Sequence, residues 1–404
     1  MKNQKFFSRD VLLISFSAFF ADLGYQGVTA LFPLFLILRH HIPVYVYGII
    51  TAVAFGVGSF FAFIGGKAGD KYDRKTVAIL GNLFIPLMSL SGLFRNVWLC
   101  GVLFILGWWA RYFRTPARRA LLVEVSPPDL RSKAFGFLHA LDIGGGILSA
   151  LLALFFVSYL HMHIGMVILF SVIPLLISSI LLFFIKRDKL YPIEDTTAHK
   201  SSTKQTAVRL QKRTLFVALL VSATFYGFSF YNAGYPVLTA ATSQNAGYAL
   251  GLIAYLIYMG ISAISGYALG LRRFRSIRAL WMLGYLPSAI ASLLIGVNIA
   301  LHLPEISFYI FVAGLGFGMG VVETFEPTAV SSLVQSENLS RGMGWLSVSR
   351  SIGQFISNLV MGIIFSFNQS LAYGYAFVAS LVATIILASA ERIANKVNTS
   401  HPTS

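Results

Sequence analysis

Charge is scarce in this sequence, and acidic charge is scarcest. Only 11% of its 404 residues are charged, with 15 Asp and Glu against 31 Lys and Arg. A soluble domain carries about 25% charged residues. A chain so poor in charge, and 56% hydrophobic, has no long region left for a water-soluble catalytic domain. Its single cysteine, Cys100, excludes an intrachain disulfide framework and any multi-cysteine metal site. No Ser–His pairing and no metal-spaced His/Asp set stands out, so neither an enzyme nor a metal or cofactor is expected. The N-terminus also lacks the small-residue cleavage site that closes a signal-peptide h-region, and Met1 to Lys5 is expected to lead straight into a first helix.

What the sequence has instead is apolar length. A bilayer-spanning helix needs about 20 mostly apolar residues. Segments near 11–38, 44–66, 76–94, 98–123, 134–159, 164–185, 214–240, 248–271, 279–299, 306–333, 342–366 and 371–390 qualify. The expectation is an all-α membrane protein of twelve transmembrane helices. The net charge of +16 raises nucleic acid as a partner, but its placement excludes that reading. Basic residues concentrate at the N-terminus and in alternate loops, which marks that side as cytoplasmic, while only Arg39 and Arg95 fall in opposite loops. A nucleic-acid binder would gather its charge in a soluble domain. Both termini are basic and fall on the same face, so a multi-pass protein of the plasma or inner membrane with both ends cytoplasmic is expected.

Residues 186–213 hold eight basic and three acidic residues among Ser, Thr and Gln. This stretch reads as a solvated cytoplasmic linker between six-helix bundles at 1–185 and 214–404, the second ending in a short cytoplasmic tail. The bundles echo each other, as two pseudo-symmetric halves would. A shift of 203 residues places Gly24 on Gly227 and Pro33 on Pro236; a shift of 211 places Pro116 on Pro327. Allowing a three-residue shorter loop in the second half, Gly136 meets Gly344, Asp142 meets Arg350 and Gly145 meets Gly353.

Between the second and third segments the sequence reads Gly66-Lys-Ala-Gly-Asp70-Lys-Tyr-Asp73-Arg74-Lys75. This resembles the signature loop of the major facilitator superfamily, G-x-x-x-D-x-x-G-R-[KR], with Asp73 in place of the second glycine. A decayed copy, Gly266 to Arg275 with Gly270 at the acid position, lies between the eighth and ninth segments. The resemblance implies transport by alternating access of two six-helix halves. It further implies a cytoplasmic gate built on Gly66, Asp70, Arg74 and Lys75, and a central cavity lined by helices 1, 4, 7 and 10. Proton-driven drug exporters of the superfamily often carry G-x-x-x-G-P in the fifth helix. This chain keeps Gly145 but has Ser149 and Ala150 where Gly-Pro would stand.

Ionisable residues inside spanning helices are costly and default to functional hypotheses. Asp22, Asp142, Glu323, Glu326, Arg111, Arg114 and Arg350 fall in this class. Arg114 and Asp142 each lie about eight residues from the cytoplasmic helix ends, roughly 12 Å deep at 1.5 Å per residue, and are expected to pair. Glu326 and Arg350 form the repeat's counterpart, with the charges exchanged. Arg111 and Glu323 lie one turn deeper, and Asp22 matches Arg111 in depth. Pairing Asp22 with Arg111 then leaves Glu323 without a cation. A lone carboxylate in a low-dielectric cavity takes up a proton readily, so Glu323 is the expected proton carrier, with Asp22 and Glu326 as rivals. A purely structural polar network is the other reading of these charges. Tyr25, Gln26, Trp108, Tyr231, Asn232 and Tyr235 are candidates to line an amphipathic substrate cavity. The expected partners are therefore a small-molecule substrate, protons and the lipid bilayer, for a monomeric chain. Proton-coupled export of an amphipathic or drug-like molecule is the leading expectation, with uptake of a small metabolite as the rival. A non-transporting membrane sensor would need a soluble signalling domain, and none is evident.

Overall fold

Long apolar runs with few breaks fold as long helices, because within a bilayer every backbone polar group must find its partner inside its own segment. The computed structural model describes residues 8–127, 130–187, 190–191, 205–229, 233–242, 247–270, 276–334 and 339–400. Among these residues there are helices and connections but no strand. The spans are α1 (Arg9–Arg39), α2 (Val44–Lys71), α3 (Arg74–Leu93), α4 (Val97–Val125), α5 (131–159) and α6 (Ile164–Phe183). The series continues with α7, in two described pieces (Gln205–Ser229 and Gly234–Thr242), α8 (Gly247–Gly270), α9 (Ser276–Ala300), α10 (Glu305–Leu333), α11 (Leu339–Phe367) and α12 (Gln369–Ser400).

Eleven of these helices are long and apolar enough to cross a membrane. The exception is α4, a continuous 29-residue helix whose mean hydropathy is cut by Arg111, Arg114, Arg118 and Arg119. Side chains such as Trp98, Ile173, Phe183, Ile310 and Ile363 are more than half exposed, as lipid-facing residues would be. Pro33, Pro116 and Pro327 sit inside helices, which membrane helices tolerate because neighbouring groups satisfy the freed carbonyls.

Helix starts follow ordinary capping. Ser8 accepts from the Val11 N–H at 3.2 Å, Asp73 caps α3 through the Thr76 N–H at 2.9 Å, and Asn96 caps α4 through the Trp98 and Leu99 N–H groups. His41, His161 and His302 each hold a positive φ, near 50°, just beyond a helix end. The backbone N–H groups of the next residues reach back to Leu36, Phe156 and Asn298. These histidines thus occupy the left-handed stop position where glycine is commonest.

The chain divides into two compact units, Met1–Glu194 with Ala233–Leu256, and Asp195–Asn232 with Ile257–Ser404. In the first, Val11, Ile14, Leu121, Leu122, Leu138 and Leu182 form a buried core. In the second, Leu219, Leu280, Tyr285, Val321, Phe325 and Leu387 do so. Small residues set the closest crossings, as is usual between membrane helices. An ideal Cβ on Gly145 would lie 2.3 Å from the Phe19 carbonyl oxygen, and one on Gly353 would lie 2.5 Å from the Gly227 Cα. The glycine pair matched by the internal repeat therefore marks the same kind of contact in each unit, between the fifth helix of a half and its first.

Candidate functional site

In the first unit, α1 carries Asp22, Tyr25 and Gln26 on one stripe, spaced by helical turns. Asp22 is buried, with 4% of its surface exposed. The Tyr25 hydroxyl donates a short hydrogen bond to Asp22 Oδ1, and Gln26 Nε2 donates to the same oxygen at 3.4 Å. Gln26 in turn accepts from the Tyr255 hydroxyl at 2.8 Å. Asp22 Oδ2 is buried without a hydrogen-bond partner.

The expected Asp22–Arg111 ion pair does not form. The Arg111 guanidinium lies instead over three rings, 4.7 Å from the centroid of Tyr25, 4.8 Å from Trp108 and 5.8 Å from Tyr112. Tyr25 therefore stands between acid and base, binding one through its hydroxyl and the other through its face, a cation–π arrangement. The expected Arg114–Asp142 pair is also corrected. Arg114 is 1% exposed and donates through Nη1 to Asn82 Oδ1 at 2.7 Å. Asn82 Nδ2 donates onward to Ser178 and Ser179 at 3.0 and 2.8 Å. The close approach of α3 makes this possible: a Cβ on the neighbouring Gly81 would meet the Arg114 Cβ at 2.8 Å. Asp142 faces Arg118, one turn further along α4, with Nη2 at 3.5 Å. Arg118 has 3% of its surface exposed, and its Nε and Nη1 lack hydrogen-bond partners, as do Arg111 Nε and Trp108 Nε1.

In the second unit the expected Glu326–Arg350 pair is present, and Glu326 is 0% exposed. It accepts from Arg350 Nε through a short contact and from the Tyr285 hydroxyl at 2.6 Å. Glu323, expected to lack a cation, also accepts from Arg350, at 3.0 Å through Nη1. Glu323 and Glu326 stand one turn apart on α10, so a single forked guanidinium reaches both. Among Asp22, Asp142, Glu323 and Glu326, the acid outside ion-pair distance of any described Lys or Arg is Asp22, not Glu323.

The loop between α2 and α3 keeps its motif residues together. Arg74 is 3.4 Å from Asp70 and 2.9 Å from Glu124 at the end of α4. Asp70 is largely exposed, so the buried half of the cluster is Arg74–Glu124, a partner carrying no motif signal. Lys75 Nζ donates to the carbonyls of Phe183 and Ile185 at 2.9 and 2.6 Å. An added Cβ on Gly66 would meet only Pro116, at 3.7 Å. The departing residue, Asp73, receives the Thr76 hydroxyl and N–H and pairs with Arg187. Partial burial acts to raise its pKa, but the hydrogen bonds from Thr76 and the charge of Arg187 prevail and hold the carboxyl below its ordinary value. Of the decayed copy, Gly266 and Gly270 are helical in α8, and 271–275 lie outside the described residues.

Among the cavity candidates, Tyr25, Gln26 and Trp108 gather around Asp22 and Arg111. Trp108 also meets the Phe55 ring at 4.8 Å and the Phe104 ring at 6.3 Å. Tyr235 is fully buried, with its ring centroid 5.7 Å from that of Tyr47. Tyr231 and Asn232 lie outside the described residues. Among the described residues, no three of His, Cys, Asp or Glu cluster as a metal site requires.

Residues 14–322 match the family described as the Major Facilitator Superfamily. Among curated proteins none matches the sequence. Solved structures match across nearly the whole chain. A peptide transporter POT in complex with sulfate is 13% identical with a TM-score of 0.77, over 96% of this chain and 95% of the other. The nucleoside transporter NupG is 12% identical with a TM-score of 0.70, over 94% and 99%. A bacterial homolog to the human lysosomal transporter Spinster is 14% identical with a TM-score of 0.66, over 96% of each. At such identities the likeness is one of fold.

Proposed function

The chain belongs to the Major Facilitator Superfamily and is a multi-pass secondary transporter rather than an enzyme, and from that premise we propose that it couples proton movement to the uptake of a small metabolite, with Asp22 as the proton carrier. The observation that carries this reading is the state of Asp22: buried, served by a tyrosine and an amide, with no cation at ion-pair distance and one oxygen unpartnered. A buried carboxylate lacking a cation gains most from taking a proton, and acids of this kind inside spanning helices mark proton relays. Glu323 and Glu326 remain rivals for the role, but both share Arg350.

Uptake is favoured over export at the fifth helix. Where drug exporters often place Gly-Pro, Ser149 donates to the Leu23 carbonyl at 2.6 Å and ties α5 to α1. Export of an amphipathic or drug-like molecule is the second reading. The cluster of aromatic rings around Trp108 supports it, with Tyr25, Phe55, Phe104 and Tyr112 all in contact. On either reading the bundles at 1–185 and 214–404, joined by the linker 186–213, alternate access in a monomer. The protein then sits in the plasma or inner membrane with both termini cytoplasmic. Asp70, Arg74 and Lys75 serve as a gate on that side.

The test is flux in proteoliposomes under an imposed pH gradient, with a metabolite panel of dipeptides and nucleosides and a drug-like panel. Uptake reading: an inward-directed proton gradient drives accumulation of a metabolite, and Asp22→Asn abolishes it while leaving exchange of substrate across the membrane. If gradient-driven flux survives in Asp22→Asn, the assignment of the proton to Asp22 is wrong. Counter-directed movement of drug-like compounds would select export.

A further inference from the structure

One stretch of α4 in the first unit carries more positive charge than the carboxylates beside it neutralise. Three guanidinium groups on one stretch of α4, Arg111, Arg114 and Arg118, face two carboxylates, Asp22 and Asp142. Arg118 is matched to Asp142. Arg114 is held by the neutral amide of Asn82. Arg111 meets the neutral side chains of Tyr25, Trp108 and Tyr112, with no described carboxylate at ion-pair distance. Rings orient a cation but do not neutralise it, and a buried charge without a counter-charge is costly. Further buried donors stand without partners in this stretch: the Trp108 indole N–H, one turn from Arg111, the Nε of Arg111 and of Arg114, and the Nε and Nη1 of Arg118.

We propose that Arg111, with the Trp108 N–H beside it, binds an anionic group of the transported molecule, a carboxylate or a phosphate, and that this anion and a proton on Asp22 bind together. The second half rests on the reading of Asp22 as the proton carrier; the first does not. A guanidinium and an indole N–H supply donors and no acceptor, so they suit an oxyanion and not an ammonium. The groups facing Asp22 are Tyr25 and Gln26 from α1, Arg111 and Arg118 from α4, Asp142 from α5 and, through Gln26, Tyr255 from α8. Arg111 lies against the ring of the tyrosine that binds Asp22, and a neighbouring positive charge favours the ionised carboxylate. An anion seated on Arg111 cancels that effect and makes the proton bind more tightly; by reciprocity the protonated state binds the anion more tightly. Proton and anion then travel in one direction. A cationic substrate would compete with the proton and require opposite directions. The charge excess thus selects cotransport of an acid.

Matched probes test this with the purified full-length chain: a dipeptide against its C-terminal amide, and a nucleoside monophosphate against its nucleoside. Binding is read by calorimetry and thermal shift, and proton uptake from the heats in buffers of different ionisation enthalpy. We expect the acid member of one pair to bind about ten- to a hundredfold more tightly than its neutral partner, with uptake of up to about one proton. The pair that responds separates carboxylate from phosphate. Arg111→Gln should erase the preference, Arg111→Lys should keep part of it, and Trp108→Phe should weaken it. Asp22→Asn should keep the preference and lose the proton uptake. If Asp22→Asn still takes up the proton, the carrier assignment fails and the anion site stands. Equal or tighter binding of the neutral members, a preference that survives Arg111→Gln, or no binding by any probe would overturn the anion site. Should Arg111→Gln not fold, Arg111→Lys and Trp108→Phe carry the same comparison.

Discussion

The two compact units answer the same problem, charge inside a membrane, in opposite ways. In the second unit a single arginine, Arg350, serves both Glu323 and Glu326, and Tyr285 completes Glu326. The three charged groups of this cluster all have ionised partners. In the first unit the signs are exchanged and the matching is incomplete: Arg114 is held by an amide, Arg111 by rings, and Asp22 by a tyrosine and a glutamine. Neutral partners leave charge for something else to meet. An internal repeat can thus keep the positions of its charges while one copy meets them with opposite charge and the other meets several of them only with neutral groups.

The largest effect that could break this contrast is on flux. Asp22→Asn is expected to reduce gradient-driven transport to background while substrate exchange persists. Glu323→Gln should leave most of the flux, because Glu326 still meets Arg350. Proteoliposome assays under a pH gradient check both. The reverse outcome, with Glu323→Gln inactive and Asp22→Asn active, would transfer the proton role to the second unit.

Stability sharpens the contrast next. Arg350→Met leaves a fully buried Glu326 without its cation, and removing one partner of a buried ion pair costs about 3–5 kcal/mol. Asn82→Leu takes a neutral acceptor from Arg114 and a donor from Ser178 and Ser179, and about 1–3 kcal/mol is expected for a buried donor left unsatisfied. Unfolding in detergent, followed by helical signal against denaturant, should order them in that way. Equal losses would mean that the amide in the first unit matters as much as the ion pair in the second.

The helix crossings should behave alike where the charges do not. Gly145→Ala and Gly353→Ala each push a methyl group against backbone at 2.3 and 2.5 Å. Overpacking of this kind costs about 1–3 kcal/mol, and the same unfolding assay should show similar losses. A much smaller effect for one of them would limit the structural repeat to the other contacts.

These comparisons also show what could be read in the sequence. The helices were legible because apolar length admits few alternatives in a membrane, and the repeat was legible because glycines recur at the same crossings. The identity of the intramembrane acids and arginines was legible too, since each stands out in an apolar run. Their pairing was not. Depth counted along a helix fixes a residue to about one turn, and Arg114 and Arg118 differ by one turn, so Asp142 was assigned to the wrong one. Asn82 carries no charge and gave no signal, although the adjacent Gly81 marks a close approach to α4. Tyr25 was visible as a cavity aromatic but not as the group separating Asp22 from Arg111. Glu124 lies outside the loop motif that it completes, and only the fold brings it to Arg74.

The smallest expected effect concerns the residue where the loop motif departs from its family. Asp73 replaces a glycine, yet it caps α3 and holds Arg187, so Asp73→Ala should cost about 1 kcal/mol. Hydrogen bonds and Arg187 hold the folded carboxyl below its ordinary value of 3.8. The folded state therefore prefers the ionised form, and the contribution is fully present above that value. It is lost as pH falls through the lower, folded value. The stability gap between the parent and Asp73→Ala should accordingly be constant near neutrality and narrow below about pH 4. Asp73→Asn separates the two roles, since asparagine still caps a helix but cannot pair with Arg187 as an ion. If the asparagine variant matches the parent at neutral pH, the cap alone accounts for the aspartate. If it falls toward the alanine variant, the tie to Arg187 is the reason this loop carries an acid where the signature pattern it resembles has glycine.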